Sequence, residues 1–141
     1  FGVNRAHGYG SNFRSYVANW NASSIYIAQI ETKESVANIA EILSSPNLDG
    51  VMIGPYDMSG SLGVPGETTH PLVQEAEKTV IAACKSAGKS CGTQLADFSD
   101  DNIKNAIAKR YTFIIASSDL FVLNSWAEDA EKLVKKYSNA Q

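Results

Sequence analysis

The sequence predicts an α/β protein whose four parallel strands alternate with helices, forming the C-terminal half of a (β/α)8 barrel. Three observations carry this expectation. Strand-like and helix-like runs recur in step along the chain, as in parallel sheets with crossover helices. The run GVMIGP is continuously apolar, as suits a strand covered on both faces. The outermost strand-like runs, IYIAQI and FIIAS, are also apolar and would be sticky edges in an open sheet. A small open doubly wound sheet is the competing architecture, so the edges decide in favour of a barrel half.

The elements follow in order. SNFRSYVANWN (11–21) fits a short helix, and SSIYIAQIE (23–31) is a β-branched and aromatic strand. Thr32 follows as N-cap with Glu34 in the first turn, and Val36, Ile39, Ala40 and Leu43 then repeat at helical spacing, predicting one amphipathic helix. GVMIGP (50–55) is the second strand, after which DMSGSLGVPGETTH reads as a Gly-rich loop. Pro71 suits a first helical position and Gly88 a helix end, with Val73, Ala76, Val80, Ala83, Cys84 and Ala87 on the face between them. SCGTQLA (90–96), SDDNIKNAIAKR (99–110) and YTFIIAS (111–117) complete the alternation as strand, helix and strand. A last helix from about Asp119 stacks Leu123, Trp126, Ala127, Ala130, Leu133, Val134 and Tyr137, a stripe suited to a barrel's outer wall or to a subunit interface.

Bulk composition narrows the function. The chain has 141 residues, 44% hydrophobic and 19% charged, which suits one globular domain spanning residues 1–141. A net charge of -3 with scattered Lys and Arg favours neither nucleic acid nor an anionic membrane as partner. No apolar run reaches the ~18 residues of a membrane span. Cys84 and Cys91 match no zinc or redox spacing, and reduced thiols in a cytoplasmic setting are expected. The sequence opens at Phe1, inside what reads as folded chain, so the earlier barrel strands are expected in a preceding segment.

Two acids stand at strand ends. Glu31 closes the first strand and Asp57 follows the second, one βα unit later. In parallel α/β sheets such positions face the ligand crevice, and adjacent strands lie about 4.8 Å apart. One hard divalent cation could bridge them and keep open coordination sites. The competing reading puts Glu31 in the first turn of its helix and makes Asp57 a loop cap. Gln29, two residues before Glu31, shares its side of the strand. Gly54 and Pro55 make a stiff turn, after which the amides of Tyr56 and Asp57 could hold a small carboxylate.

RAHGYG, QIET, LDGVMIGPYDMSGSLGVPGETTHPLV and YTFIIASSD together resemble the HpcH/HpaI aldolases, metal-dependent class II pyruvate aldolases of the phosphoenolpyruvate/pyruvate barrel superfamily. The likeness runs over essentially the whole chain. It implies a homo-oligomeric (β/α)8 lyase that reversibly splits a 4-hydroxy-2-oxoacid into pyruvate and an aldehyde. It further implies that Glu31 and Asp57 bind Mg2+, Mn2+ or Co2+, that Gln29 lies beside the bound 2-oxoacid, and that the Tyr56 and Asp57 amides hold its carboxylate. The family's general-base His and oxoacid-binding Arg belong to earlier strands, upstream of Phe1. His7, Arg5 and His70 do not match those positions. His70 is expected to cap the helix at Pro71, His7 to border the barrel mouth, and Arg5 and Arg14 to be ordinary surface charges. A related citrate-lyase-like lyase, acting on an oxoacid or CoA thioester, and a non-catalytic half-barrel are the alternatives. An open flavodoxin-like sheet with Asp57 as phosphoacceptor would need a Lys at a later strand end, where Ser117 and Ser118 stand instead.

Overall fold

A computed structural model describes residues 3–138. Four strands, β1 (Ile27–Ile30), β2 (Gly50–Ile53), β3 (Ser90–Leu95) and β4 (Phe113–Ala116), lie in the order β1-β2-β3-β4, each pair parallel. Sequential order without a reversal is that of a barrel wall; a doubly wound sheet reverses at its switch point. The sheet is also curved, since Ile27 of β1 and Phe113 of β4, three strands apart, line one hollow with Ser90. Gly92 makes this possible: a Cβ there would run into the Phe113 ring, which lies across β3 on the concave side.

The helices are α1 (Phe13–Ser23), α2 (Lys33–Ala37), α3 (Ile39–Leu43), α4 (Pro55–Ser61), α5 (Pro71–Ala87), α6 (Asp100–Ala108) and α7 (Asp119–Ser138), and a 3-10 segment, Arg5–Gly10, precedes α1. The core lies between the convex side of the sheet and its helices. Val51, Ile53 and Cys91 meet Ile39, Leu43, Val73, Val80 and Cys84 there, all essentially removed from water. Each such aliphatic side chain stabilises the fold by roughly 1.5–3 kcal/mol. The α5 helix begins at Pro71 behind an N-cap His70, whose Nδ1 accepts the Leu72 N–H at 3.2 Å, and ends at Gly88 with a left-handed φ of 65°. Both ends match the sequence reading.

Four expectations are corrected. The single helix after Thr32 is two short ones, broken at Asn38, which leaves Ala40 exposed while Ile39 and Leu43 stay buried. The Gly-rich loop begins as a helix, α4, because Pro55 takes a first helical position and Met58 and Ser59 are fully buried. The α7 stripe is not packed on the chain's own wall, one of its two expected places: Leu123, Trp126 and Tyr137 are exposed. The Lys and Arg residues are less scattered than the sequence suggests. Lys85, Lys89, Lys109 and Arg110 line one hollow of about 620 Å³ at the amino-terminal ends of the strands. Their clustering has a structural cause, because α5 and α6 end there and helix carboxyl ends favour cations.

Cys84 and Cys91 are free and buried. The Cys91 thiol is pushed well above its ordinary range, first by its hydrogen bond with Cys84 and then by burial. Both are thiols of the core, and their being free agrees with the sequence expectation that they are reduced. Next to them, Glu77 of α5 is buried and satisfied twice: Lys109 Nζ donates to Oε2 at 2.7 Å, and the Tyr111 hydroxyl donates to Oε1 at 3.1 Å.

Candidate metal centre

Glu31 leaves the carboxyl end of β1, and the residue after it decides its freedom. The Thr32 hydroxyl accepts the Ser35 N–H at 3.0 Å while the Ser35 hydroxyl accepts the Thr32 N–H at 3.1 Å, a reciprocal cap that starts α2 at Lys33. The helix is therefore capped without Glu31, and the acid of its first turn is Glu34. The Glu31 carboxylate instead accepts a hydrogen bond from Gln29, Nε2 to Oε1 at 2.9 Å. Strand alternation places both side chains on the concave side.

Asp57 is the third residue of α4, whose N-cap is Gly54. Its side chain is no cap of that helix, and the amides of Tyr56 and Asp57 precede the first helical bond, Met58 N–H to Gly54 O at 3.0 Å. The expected stiff turn is thus a helix start that brings two first-turn N–H groups to the mouth. The loop beyond is folded back by Ser59, whose hydroxyl donates to Tyr56 O at 2.6 Å and accepts the Gly66 N–H at 2.8 Å.

Two cross-connections fix the acid-bearing segments to one another. Gly54 N–H donates to Ile30 O at 3.2 Å, and Lys33 N–H donates to the Ser61 hydroxyl at 3.0 Å. Gly54 also makes room, since a Cβ there would lie 2.7 Å from Glu31 Oε1 and 2.8 Å from its Cγ. Gln29, Glu31, Tyr56 and Asp57 consequently border a single cleft of about 340 Å³. Two carboxylates and a carboxamide are hard oxygen donors, so the residues fit a Mg2+-type cation that retains open positions. Among the described residues no group of three or more His, Cys, Asp and Glu is placed to hold a metal, so the acidic donors here number two.

His7 does not border the mouth. It is 2% exposed, packed edge-on against Phe13 and Tyr16 at ring-centroid distances of 5.5 and 5.7 Å, and its Nδ1 accepts the Gly10 N–H at 3.0 Å. Its burial comes from the ring contacts that close the 3-10 segment against α1. Among the cleft residues not singled out from the sequence are Gln94 and Ala96 at the end of β3, and Phe121 from the first turn of α7. Gln94 was open to detection, because it repeats the Gln29 pattern of a polar residue two places from a strand end. Phe121 carried no such signal, since only the path of the chain after β4 brings it there.

The sequence model of the HpcH/HpaI aldolase/citrate lyase family matches residues 5–124. The chain is 35% identical over 127 residues to the 4-hydroxy-2-oxo-heptane-1,7-dioate aldolase of Salmonella arizonae, a match that covers 86% of this chain and 44% of that protein. The chain thus spans about half the length of the curated relatives it matches. Its fold superposes on an HpcH/HpaI aldolase/citrate lyase family protein from Burkholderia cenocepacia J2315 with a TM-score of 0.79 at 30% identity, covering 96% of this chain and 51% of that one. An HpcH/HpaI aldolase from Desulfitobacterium hafniense DCB-2 gives a TM-score of 0.77 at 29% identity, over 88% and 48% of the two chains.

Proposed function

Because this chain belongs to the HpcH/HpaI aldolase/citrate lyase family, we propose that the protein is a metal-dependent carbon–carbon lyase that reversibly cleaves a 4-hydroxy-2-oxoacid to pyruvate and an aldehyde. The observation that carries this reading is the shared cleft of Glu31 and Asp57, with Gln29 bonded to Glu31.

Glu31 and Asp57 would hold a divalent cation, Mg2+, Mn2+ or Co2+. Bound there, the cation supplies Lewis-acid stabilisation of the negative charge that develops on the keto oxygen. The chain's own residues do the rest of the positioning. Gln29 fixes one carboxylate of the pair through its N–H. The Tyr56 and Asp57 amides offer two donors to the oxoacid carboxylate. Ala96 and Phe121 give the cleft an apolar side. By the family resemblance, a general-base His and an oxoacid-binding Arg would come from barrel strands other than these four. His7, buried beneath Phe13 and Tyr16, does not serve as that base.

The same reading covers the setting of the enzyme. Among the described residues no helix is long and apolar enough to cross a membrane. Two free buried thiols suit the cytoplasm. The exposed apolar residues of α7 suit a homo-oligomer.

The test is metal-dependent pyruvate release by the full-length protein. Glu31→Ala and Asp57→Ala should each abolish it while leaving the folded state intact by circular dichroism. Undiminished release in both variants overturns the assignment.

A further inference from the structure

A second hollow, of about 620 Å³, lies at the opposite ends of the strands from the cleft and shares no lining residue with it. Its walls are α5 and the segment between α6 and β4, with Cys84 and Cys91 at its floor, so residues 74–112 form it without the barrel's other strands. A concavity of that size suits one small molecule. Five cations line it, Lys78, Lys85, Lys89, Lys109 and Arg110, against one carboxylate, Glu77, in a chain whose net charge is -3.

Local structure uses up only part of that charge. Glu77 neutralises Lys109 at 2.7 Å, and Glu75 stands 3.8 Å from Lys78 in an exposed contact. Lys89 donates to Ser45 O at 3.3 Å and to Leu48 O, both neutral carbonyls. Among the described residues Lys85 and Arg110 have no acid partner. The carboxyl ends of α5 and α6 each present about half a negative charge, which together offset one further cation. The balance is about two positive charges facing one cavity, whose low-dielectric walls focus their field.

Arg110 is also an uncommon choice for its place. It ends α6 at a left-handed φ of 73°, with its N–H to Ile107 O at 2.9 Å and the Tyr111 N–H to Ala106 O at 3.3 Å. The α5 helix ends in the same kind of turn with Gly88, which takes a φ of 65° without strain. An arginine there gains nothing for the backbone, and strain kept at the wall of a pocket points to a ligand. Its guanidinium fork matches phosphate oxygens in pairs, while Ile81 and Ala82 give the same hollow an apolar surface for an organic body. We infer that this hollow binds a small molecule bearing a polyphosphate group, held chiefly by Lys85 and Arg110.

Inorganic tripolyphosphate and ATP are the probes, titrated calorimetrically into the full-length protein. Mg2+ is kept in excess over the ligand, so that chelation does not strip the cleft. The wild type should bind tripolyphosphate, and Arg110→Gly should raise its dissociation constant by about tenfold or more, the worth of a charge-assisted hydrogen bond. Because glycine suits that φ, Arg110→Gly should keep its thermal midpoint, which separates lost binding from lost folding. Lys85→Gln should weaken binding as well, whereas Lys132→Gln on α7 should leave it unchanged. Tighter binding of ATP than of tripolyphosphate supports the site and assigns the organic body to the Ile81 wall; binding of ATP that is no tighter supports it for the bare polyphosphate. No binding by the wild type, or binding that survives both Arg110→Gly and Lys85→Gln, overturns the inference. Binding lost in Glu31→Ala would put the ligand on a metal in the cleft and overturns it equally. No turnover is measured, so the aldolase reading stands or falls apart from this result.

Discussion

Gln29 donates its amide N–H to the Glu31 carboxylate at 2.9 Å, along a strand and on the concave side of the sheet. The bond joins two side chains at alternate positions, and it fixes which way the carboxylate faces. Groups that orient a ligand in this way typically contribute a factor of 10–100 in metal affinity. Gln29→Met keeps the length and removes the donor. Its apparent dissociation constant for Mn2+, followed by calorimetric titration, should rise by about 10–100-fold, with chain folding unchanged. An unaltered Mn2+ affinity would show that Glu31 is positioned by other means.

Gly54→Ala tests the space beside Glu31. Gly54 has an ordinary φ of -100°, so alanine meets no backbone strain there. The added Cβ would nevertheless lie 2.7 Å from Glu31 Oε1, and the carboxylate must swing away. Because that group ends a flexible side chain, stability should change by less than about 1 kcal/mol while metal affinity and activity drop. In a Glu31→Ala background the same substitution should have no further effect on metal binding. A loss of stability without any loss of metal binding would contradict this account.

Much of this site was legible because it is local. Alternation and spacing put QIE at a strand end and Asp57 one βα unit later at the same crevice, the resemblance supplied the metal reading, and Thr32 announced where the helix begins. What escaped reading depends on partners distant in sequence or on tertiary packing. The α4 helix hides in a Gly-rich segment because the burial of Met58 and the Ser59 link to Gly66 override poor helix propensity. The burial of His7 follows from the rings of Phe13 and Tyr16, which its own neighbours Gly8 and Gly10 do not suggest. Gln94 and Phe121 join the cleft only once the curvature of the sheet is known.

Glu77 offers a stability test apart from the cleft. Its side chain is 8% exposed, and it takes one bond from Lys109 and one from Tyr111. Glu77→Ala would strand both donors in a poorly solvated place. Removing one partner of such a network typically costs about 2–4 kcal/mol. Urea unfolding of the full-length protein should show that loss, and Glu77→Gln, which can still accept from Tyr111, should lose less. Equal stabilities of the two variants would mean that the Tyr111 bond contributes nothing.

Tyr111 makes the network sensitive to alkali. Burial, and after it the negative charge of Glu77, raise its phenol well above the ordinary tyrosine range. Below about pH 10 the group is protonated in both folded and unfolded chains and stability does not depend on it. Above that pH the unfolded chain releases the proton and the folded chain retains it. The unfolded state then binds fewer protons than the native one, so unfolding free energy falls as pH rises. One such group contributes a slope of up to about 1.4 kcal/mol per pH unit. Tyr111→Phe cannot ionise in either state. It loses the bond to Glu77 and starts from a lower stability, yet its decline between pH 10 and 11.5 should be shallower than that of the wild type. Denaturant midpoints converted to free energies across that interval supply the two slopes. Parallel curves would show that the Tyr111 phenol ionises as readily in the folded chain as in the unfolded one.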